Sequence, residues 1–259
     1  SIHFQQVISL GEQIGSQRVI AYGEGMAATI CHMLGDYDLA LEHFERSKMI
    51  RKRFGDWHGI AYCLLEQGLI AGELGNLTQS IELLRQSLAI SEDIGERVLQ
   101  RRSLGYLGTW LYFDANLDES LHAFRRGLAL VEQKRDQSAG RAWLQAGLAL
   151  TLDESGLHEE ARANLKTALR AFGATSAPEE VLAALTISGK ILANEGQVYE
   201  AGQVLAFVEQ SMTTIRFFQK WANDLSAGLP LSAAQREAAA NAARTMGLQE
   251  QLEFACSVV

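Results

Sequence analysis

The stretch Gly23-Glu24-Gly25-Met26-Ala27-Ala28 has a spacing that could do chemistry, because G-x-G-x-x-A is close to the fingerprint of a dinucleotide-binding turn. In such a turn the glycines follow a strand and open a helix whose first amides hold the pyrophosphate. Here no strand pattern precedes Gly23, and no acidic residue follows in a second strand. The context therefore predicts no nucleotide cofactor, and we interpret the glycines as positions of close helix packing.

Histidines and cysteines are the other residues that could hold a metal or catalyse a reaction. The six histidines show no HxxxH or HExxH spacing, and adjacent Cys31 and His32 would point about 100° apart on a helix. Exposed or capping positions explain the histidines better than metal ligation. The three cysteines have no CxxC spacing, which predicts buried free thiols in a reducing cytoplasm. We predict no metal site, no catalytic residues and no enzymatic activity.

Charge argues against a nucleic-acid or membrane surface. The formal net charge is −8, whereas phosphate binding needs a basic surface. The basic run Arg51-Lys52-Arg53 is accordingly interpreted as a solvated face. No apolar run approaches the ~18 residues of a membrane span, and no signal peptide is visible. These features predict a soluble cytoplasmic protein.

A period of 40 residues organises the elements that must position any site. Only two prolines interrupt the chain, which predicts helix nearly throughout. Similar segments begin at Gly35, Gly75, Ala115, Gly156 and Gly196. Each segment has a small residue at its sixth place and a bulky apolar residue four places later. Twelve residues before the small residue stands another small one: Ala28, Gly68, Gly108, Ala149 and Gly189. Further turn glycines separate the repeats at Gly15, Gly55 and Gly95, with Arg135 and Thr175 at the later equivalents.

These columns resemble those of the tetratricopeptide repeat (TPR) over roughly residues 4 to 212. The usual repeat has 34 residues, so about six extra residues lengthen the helices here. The resemblance implies an all-α fold, a TPR-like right-handed α-solenoid of helix pairs with a C-terminal helical cap. The implied organisation is the second helix of a truncated repeat (1–14), five helix pairs (15–212) and capping helices (213–259). Ser232 and Gln235 predict a capping box within that last segment.

The position of the first residues within the repeat predicts what adjoins them in the parent protein. Phe4 stands in the column of Phe44, so the chain is expected to start within a repeat. Since each repeat buries its apolar surface on its neighbours, we expect further repeats upstream or a partner over that end.

The segments LGDYDLALEHF and IGERVLQRRSLGYLG are similar to the helical-repeat regions of LuxR/MalT-type bacterial signal-transduction ATPases. In that family the repeats receive an inducer or a partner protein, and the ATPase and DNA-binding parts lie elsewhere. The resemblance implies a non-catalytic protein- or effector-binding module of a larger bacterial transcriptional regulator. The alternative is a free-standing adaptor that binds linear peptides of partner proteins.

The candidate site lies on the first helix of each pair, which lines the concave surface in TPR folds. Tyrosine, tryptophan and arginine, the residue types enriched at binding hot spots, recur there. The alternative is that these side chains pack between adjacent helices. We predict a groove for a peptide or a small effector, lined by Tyr22, Tyr62, Glu66, Arg102, Tyr106 and Trp143.

Overall fold

The computed structural model describes residues 2–132, 139–172, 178–211 and 216–259. Within these ranges the chain forms fourteen α-helices and no β-strand, so the predicted all-α class is confirmed. The helices are α1 (Ile2–Gln13), α2 (Gln17–Leu34), α3 (Tyr37–Arg53), α4 (Trp57–Glu73), α5 (Leu77–Asp93), α6 (Arg97–Phe113), α7 (Leu117–Glu132), α8 (Ala139–Glu154), α9 (His158–Ala171), α10 (Pro178–Asn194), α11 (Val198–Gln210), α12 (Arg216–Gly228), α13 (Ala233–Thr245) and α14 (Leu248–Val258). No helix in the described ranges is long and apolar enough to cross a lipid bilayer.

The helices belong to two compact units. The first unit spans Ser1–Asp114 and contains α1 to α6, and the second spans Ala115–Val259 and contains α7 to α14. The boundary predicted between residues 212 and 213 falls outside the described residues.

Glycines in the left-handed region form the turns between helices. The described glycines with φ between +66° and +83° are Gly15, Gly35, Gly55, Gly75, Gly95, Gly156 and Gly196. A side chain is disfavoured at such φ values, so glycine is the residue that adopts them at little cost. Ala115 stands at an equivalent turn with φ +58°. The turns predicted at Gly15, Gly55 and Gly95 are confirmed, whereas Arg135 and Thr175 lie outside the described residues.

A polar side chain then caps the helix that follows several of these turns. Ser16 Oγ accepts a hydrogen bond from the Val19 amide at 3.4 Å, and Asp56 Oδ1 accepts one from the Gly59 amide at 3.0 Å. These bonds satisfy amides that have no partner within the helix, and they stabilise helix starts immediately after the turns.

Glycines within helices permit close helix packing in the first unit. A Cβ atom on Gly68 of α4 would lie 2.9 Å from Leu84 Cγ of α5. A Cβ atom on Gly23 of α2 would lie 2.8 Å from Ile8 Cγ1 of α1. The interpretation of the G-x-G-x-x-A glycines as packing positions is thus confirmed at Gly23, which lies inside a helix rather than at a phosphate-binding turn.

Serine hydroxyls make the same interhelical hydrogen bond in two successive repeats. Ser47 Oγ of α3 donates to the Ala21 carbonyl of α2 at 2.7 Å, and Ser87 Oγ of α5 donates to the Ala61 carbonyl of α4 at 2.8 Å. Both serines are fully buried. Donors and acceptors are each 40 residues apart, so the sequence period is also a period of atomic contacts.

The second unit has its own core. Helices α7, α8 and α9 pack around Phe124, Leu144 and Leu152, and a Cβ atom on Gly147 would overlap the Phe124 ring. Helix α11 packs on α10, α12 and α13, and α14 packs on α9.

The start of α13 also closes the end of α12. Ser232 and Gln235 form the predicted capping box, with the Gln235 amide 3.3 Å from Ser232 Oγ. The Arg236 guanidinium donates to the carbonyls of Ser226 and Leu229, both at 2.6 Å. Each of these carbonyls also accepts a backbone amide, from Leu229 and from Leu231, so Arg236 adds a second hydrogen bond to both at the C-terminal end of α12.

The three cysteines are free thiols. Cys63 is buried as predicted, whereas Cys31 and Cys256 are half-buried. Burial raises the pKa of the Cys63 thiol to about 11, so this residue is a protonated packing group at neutral pH.

Candidate functional site

Side chains of three first helices, α2, α4 and α6, meet in the first unit. We call this surface the first-helix face, and it comprises Tyr22, Thr29, Tyr62, Glu66 and Arg102. The helical period places Tyr62 and Glu66 on one side of α4, one turn apart. Hydrogen bonds and an ion pair join these two residues to α2 and α6.

The ion pair between Glu66 and Arg102 is the electrostatic centre of the face. Arg102 Nη2 donates to Glu66 Oε1 at 2.8 Å, and Glu66 is only 5% exposed. Burial alone would lower the pKa of Arg102, but the charge of Glu66, the nearby Tyr106 and Tyr62 and the hydrogen bond to Glu66 together raise it. The guanidinium therefore remains charged and also lies 5.9 Å from the centre of the Tyr62 ring, within cation–π range.

His32 of α2 joins the same ion pair from the other side. Its Nε2 lies 3.2 Å from Glu73 Oε1, and its Nδ1 lies 3.9 Å from Glu66 Oε2. Burial alone would lower the pKa of His32, but the hydrogen bond to Glu73 and the charges of both carboxylates raise it. The carboxylates of Glu66 and Glu73 therefore contact one permanent cation, Arg102, and one histidine whose protonated form they favour, across α2, α4 and α6.

Tyr62 connects α4 to α2 directly. Its hydroxyl lies 3.2 Å from Thr29 Oγ1, and the Thr29 hydroxyl donates to the Gly25 carbonyl at 3.1 Å. Burial, with the charge of Glu66, raises the pKa of Tyr62 despite the opposing Thr29 hydrogen bond. Tyr62 is therefore a neutral, oriented phenol at physiological pH.

A cavity of about 470 Å³ opens beside Tyr62. Tyr22, Met26 and Ile30 of α2 line one side, and His58, Gly59 and Tyr62 of α4 line the other, with Arg51 of α3 between them. Tyr22 is 58% exposed. The volume is within the ~300–1,000 Å³ of typical small-molecule sites, which are mostly apolar with a few polar groups.

The structure brings together four of the six predicted site residues: Tyr22, Tyr62, Glu66 and Arg102. Tyr106 follows Arg102 by one turn of α6 and is half-buried. Trp143 belongs to α8 of the second unit and is 6% exposed, so it presents little surface to a ligand.

Two interpretations of charged residues are wrong. His32 is buried in the ionic network rather than exposed or at a helix cap. Arg51 does not belong to a solvated face, because its side chain is 15% exposed and forms an ion pair with Asp56. Lys52 and Arg53 are exposed as expected.

Sequence reasoning also missed the contributions of Thr29 and Glu73. Their partners, Tyr62 and His32, lie 33 and 41 residues away in the sequence. The 40-residue period therefore contained a signal for the His32–Glu73 pair, whose separation is close to one repeat, but not for the Thr29–Tyr62 pair, whose separation is about two helical turns shorter. Within the described ranges, no group of histidine, cysteine and acidic residues is arranged to hold a metal ion.

Comparisons with known proteins agree with this architecture. The family model described as Tetratricopeptide repeat matches residues 18–93. No curated protein matches the sequence. Among solved structures, the chain is similar to BtubC (BKLC) from P. vanneervenii, with 11% identity and a TM-score of 0.61. That match covers 94% of this chain and 88% of BtubC, and at this identity it shows the fold alone.

The matched residues span α2 to α5 and include Tyr22, Tyr62 and Glu66 of the first-helix face. The predicted fold class is confirmed: the chain has the fold of a helical-repeat protein, and its residues 18–93 match the tetratricopeptide repeat.

Proposed function

We propose that this chain is a non-catalytic interaction module that binds a protein or peptide partner on the first-helix face. Helical-repeat proteins commonly bind partners along the extended surface of stacked helices. The observation that carries the proposal is the exposed Tyr22 beside the half-buried, hydrogen-bonded Tyr62. Aromatic side chains of this kind supply large contact area with little loss of rotamer freedom on binding.

The ion pairs beneath the tyrosines support the same proposal. Glu66 contacts both Arg102 and His32, and Arg102 and Thr29 in turn contact Tyr62. A partner therefore meets a surface that is already ordered, which reduces the entropy lost on binding.

A peptide array tests this function with one matched pair of variants. Tyr22→Ala removes an exposed side chain from the face, whereas Met49→Ala removes one from the second helix α3, and the two residues are 58% and 55% exposed. For peptides that bind the wild type, we expect Tyr22→Ala to weaken binding at least about tenfold, as at an interface hot spot.

Met49→Ala is expected to bind the same peptides as the wild type does. Equal binding by wild type and Tyr22→Ala, or an equal loss in both variants, would contradict the assignment of this face. Thermal unfolding of both variants checks that the fold is retained.

We further propose that the module is the sensory part of a cytoplasmic bacterial transcriptional regulator or signalling ATPase, without nucleic-acid contacts of its own. The support is the resemblance carried by LGDYDLALEHF and IGERVLQRRSLGYLG. The domains encoded in the natural gene distinguish a sensor from a free-standing adaptor. A nucleotide-switch domain encoded with the repeats would support the sensor, and a gene encoding repeats alone would support the peptide adaptor.

A further inference from the structure

We propose that the cavity between α2 and α4 binds a small organic carboxylate through the guanidinium of Arg51. The binding site comprises Arg51, Gly25, Gly59, His58, Tyr22 and Tyr62. It goes beyond partner binding on the first-helix face, because its ligand is a free small molecule held within the cavity.

Arg51 reaches the cavity from a second helix, α3. Its Nε donates to Ser47 Oγ at 3.1 Å, and Ser47 Oγ in turn donates to the Ala21 carbonyl of α2. A Cβ atom on Gly59 would overlap the guanidinium, and one on Gly25 would lie 3.8 Å from Nη2. The two glycines therefore leave the space through which a long cationic side chain reaches the face formed by first helices.

The guanidinium is oriented but retains a free donor. Nη1 donates to Asp56 Oδ2, while Asp56 Oδ1 accepts the Gly59 amide at 3.0 Å. Among the described residues no hydrogen-bond acceptor pairs with Nη2, the guanidinium nitrogen on the Gly25 side. A carboxylate placed there would accept a charge-assisted hydrogen bond from a cation that is already fixed in place.

A neighbouring side chain also favours an anion at this position. His58 and Gly59 are the second and third residues of α4, and the Gly59 amide at this helix N-terminus is capped by Asp56 Oδ1, so His58 is the group of α4 that is left to contact a ligand. His58 is exposed and can donate a second hydrogen bond. Both carboxylate oxygens of Asp56 already accept hydrogen bonds, one from Arg51 Nη1 and one from the Gly59 amide.

The rest of the lining suits a flat apolar group. Tyr22, Met26, Ile30 and Tyr62 surround the space, and the volume of about 470 Å³ accommodates a small aromatic acid. The combination of one oriented cation and an aromatic lining therefore selects an organic monocarboxylate over a sugar or a cation.

Titration calorimetry of the full chain with phenylacetate and its neutral isostere phenylacetamide tests the site. We expect phenylacetate to bind at least about tenfold more tightly than phenylacetamide, since a hydrogen bond to a charged group is the stronger one. Equal affinity of the two probes, or no binding of either, would overturn the proposal.

Gly25→Ala is the decisive variant. Its Cβ would lie 3.4 Å from Ser47 Oγ and 3.8 Å from Arg51 Nη2, which are ordinary contacts, and alanine favours a helix. The variant therefore retains the fold but fills the space beside Nη2, and phenylacetate binding should weaken at least about tenfold. Gly228→Ala, where an added Cβ would meet no atom within 4 Å, is the control and should bind as the wild type does.

Arg51→Gln should abolish the preference for phenylacetate over phenylacetamide, and Gly25→Ala keeps the test valid if Arg51→Gln fails to fold. Binding of an acidic peptide through Arg51 without binding of phenylacetate would overturn the small-acid site and leave the proposed function intact. Phenylacetate binding without any peptide partner would support the small-acid site and contradict the proposed peptide-binding function.

Discussion

At the scale of single residues, His32 couples the first-helix face to pH. Its ring lies between the carboxylates of Glu73 and Glu66, and Tyr37 packs 5.9 Å from it. Arg102 approaches the same cluster through Glu66. Because the pKa of His32 is raised in the folded chain, folding and protonation of His32 favour one another.

We expect the stabilisation from His32 to be complete below its unfolded-state pKa of about 6.5 and to be lost as the pH rises through the raised folded-state pKa. His32→Gln should lower the free energy of unfolding by about 1–2 kcal/mol at pH 6, and the difference from wild type should shrink by pH 9. Urea unfolding at a series of pH values measures this difference in the free energy of unfolding. His58→Gln, which changes an exposed histidine, is the control. A difference between wild type and His32→Gln that stays constant with pH would contradict the role given to His32.

Sequence columns identified Tyr22, Tyr62 and Arg102, which share one position on successive first helices, and Glu66, which lies one turn further along its helix. They could not identify Arg51, which lies on a second helix and enters the cavity only because two neighbouring helices have glycine at the crossing. That arrangement depends on three-dimensional packing rather than on the position of Arg51 in its own repeat. His32 was misjudged for a similar reason, since its partners Glu66 and Glu73 belong to the following repeat.

At the scale of elements, the turn at Ala115 differs from the other turns. Glycine occupies the left-handed position at Gly75 and Gly156, whereas alanine holds φ +58° at residue 115. A residue with a Cβ atom is less stable in this region by roughly 1–2 kcal/mol, so the turn before α7 is strained.

Ala115→Gly should therefore stabilise the chain by about 0.5–1 kcal/mol, because relief of the strain exceeds the added entropy of the unfolded chain. Gly75→Ala makes the reverse change at the equivalent turn and should destabilise by about 1 kcal/mol. Urea unfolding of the two variants measures both effects. If both substitutions changed stability in the same direction, the turns would not be equivalent.

The helices themselves were predictable because their signals are local. Turn glycines, the capping box at Ser232 and the small residues that contact bulky ones recur at fixed spacing, and each acts within one or two helices. Trp143 shows the limit of such columns. It occupies the position on its first helix that Tyr22 and Tyr62 occupy on theirs, yet it is buried within its unit while Tyr22 is exposed.

At the scale of the whole molecule, helices in each unit pack mainly on helices close to them in sequence. In the first unit α4 packs on α3, α5 and α6, whereas α1 packs on α2. A helix held by more neighbours needs a larger opening before its amides exchange with solvent.

We expect hydrogen exchange of the intact chain to reflect this difference. Amides in the middle of α1 should exchange at least about 100-fold faster than those in the middle of α4. Mass spectrometry of peptides from the two helices measures the rates. Equal protection of α1 and α4 would mean that the first unit opens only as a whole.

The 40-residue period also explains why the fold class could be predicted from the sequence. Repeats of 40 residues indicated an all-α helical-repeat fold, because the same packing columns recur in each copy. The separation of the chain into units at Asp114 and Ala115 had no such signal, since the columns of small and bulky packing residues continue through the repeat that begins at Ala115.

The hydrogen bonds from Ser47 and Ser87 affect how easily a repeat can be added to the chain. Each hydroxyl bonds the carbonyl found 26 residues earlier, so the bond is defined within a span shorter than one repeat. Tandem duplication of a 40-residue stretch would copy both donor and acceptor, and the new copy would arrive with its interhelical bond already specified. Growth by gene duplication therefore requires no compensating substitution at this contact.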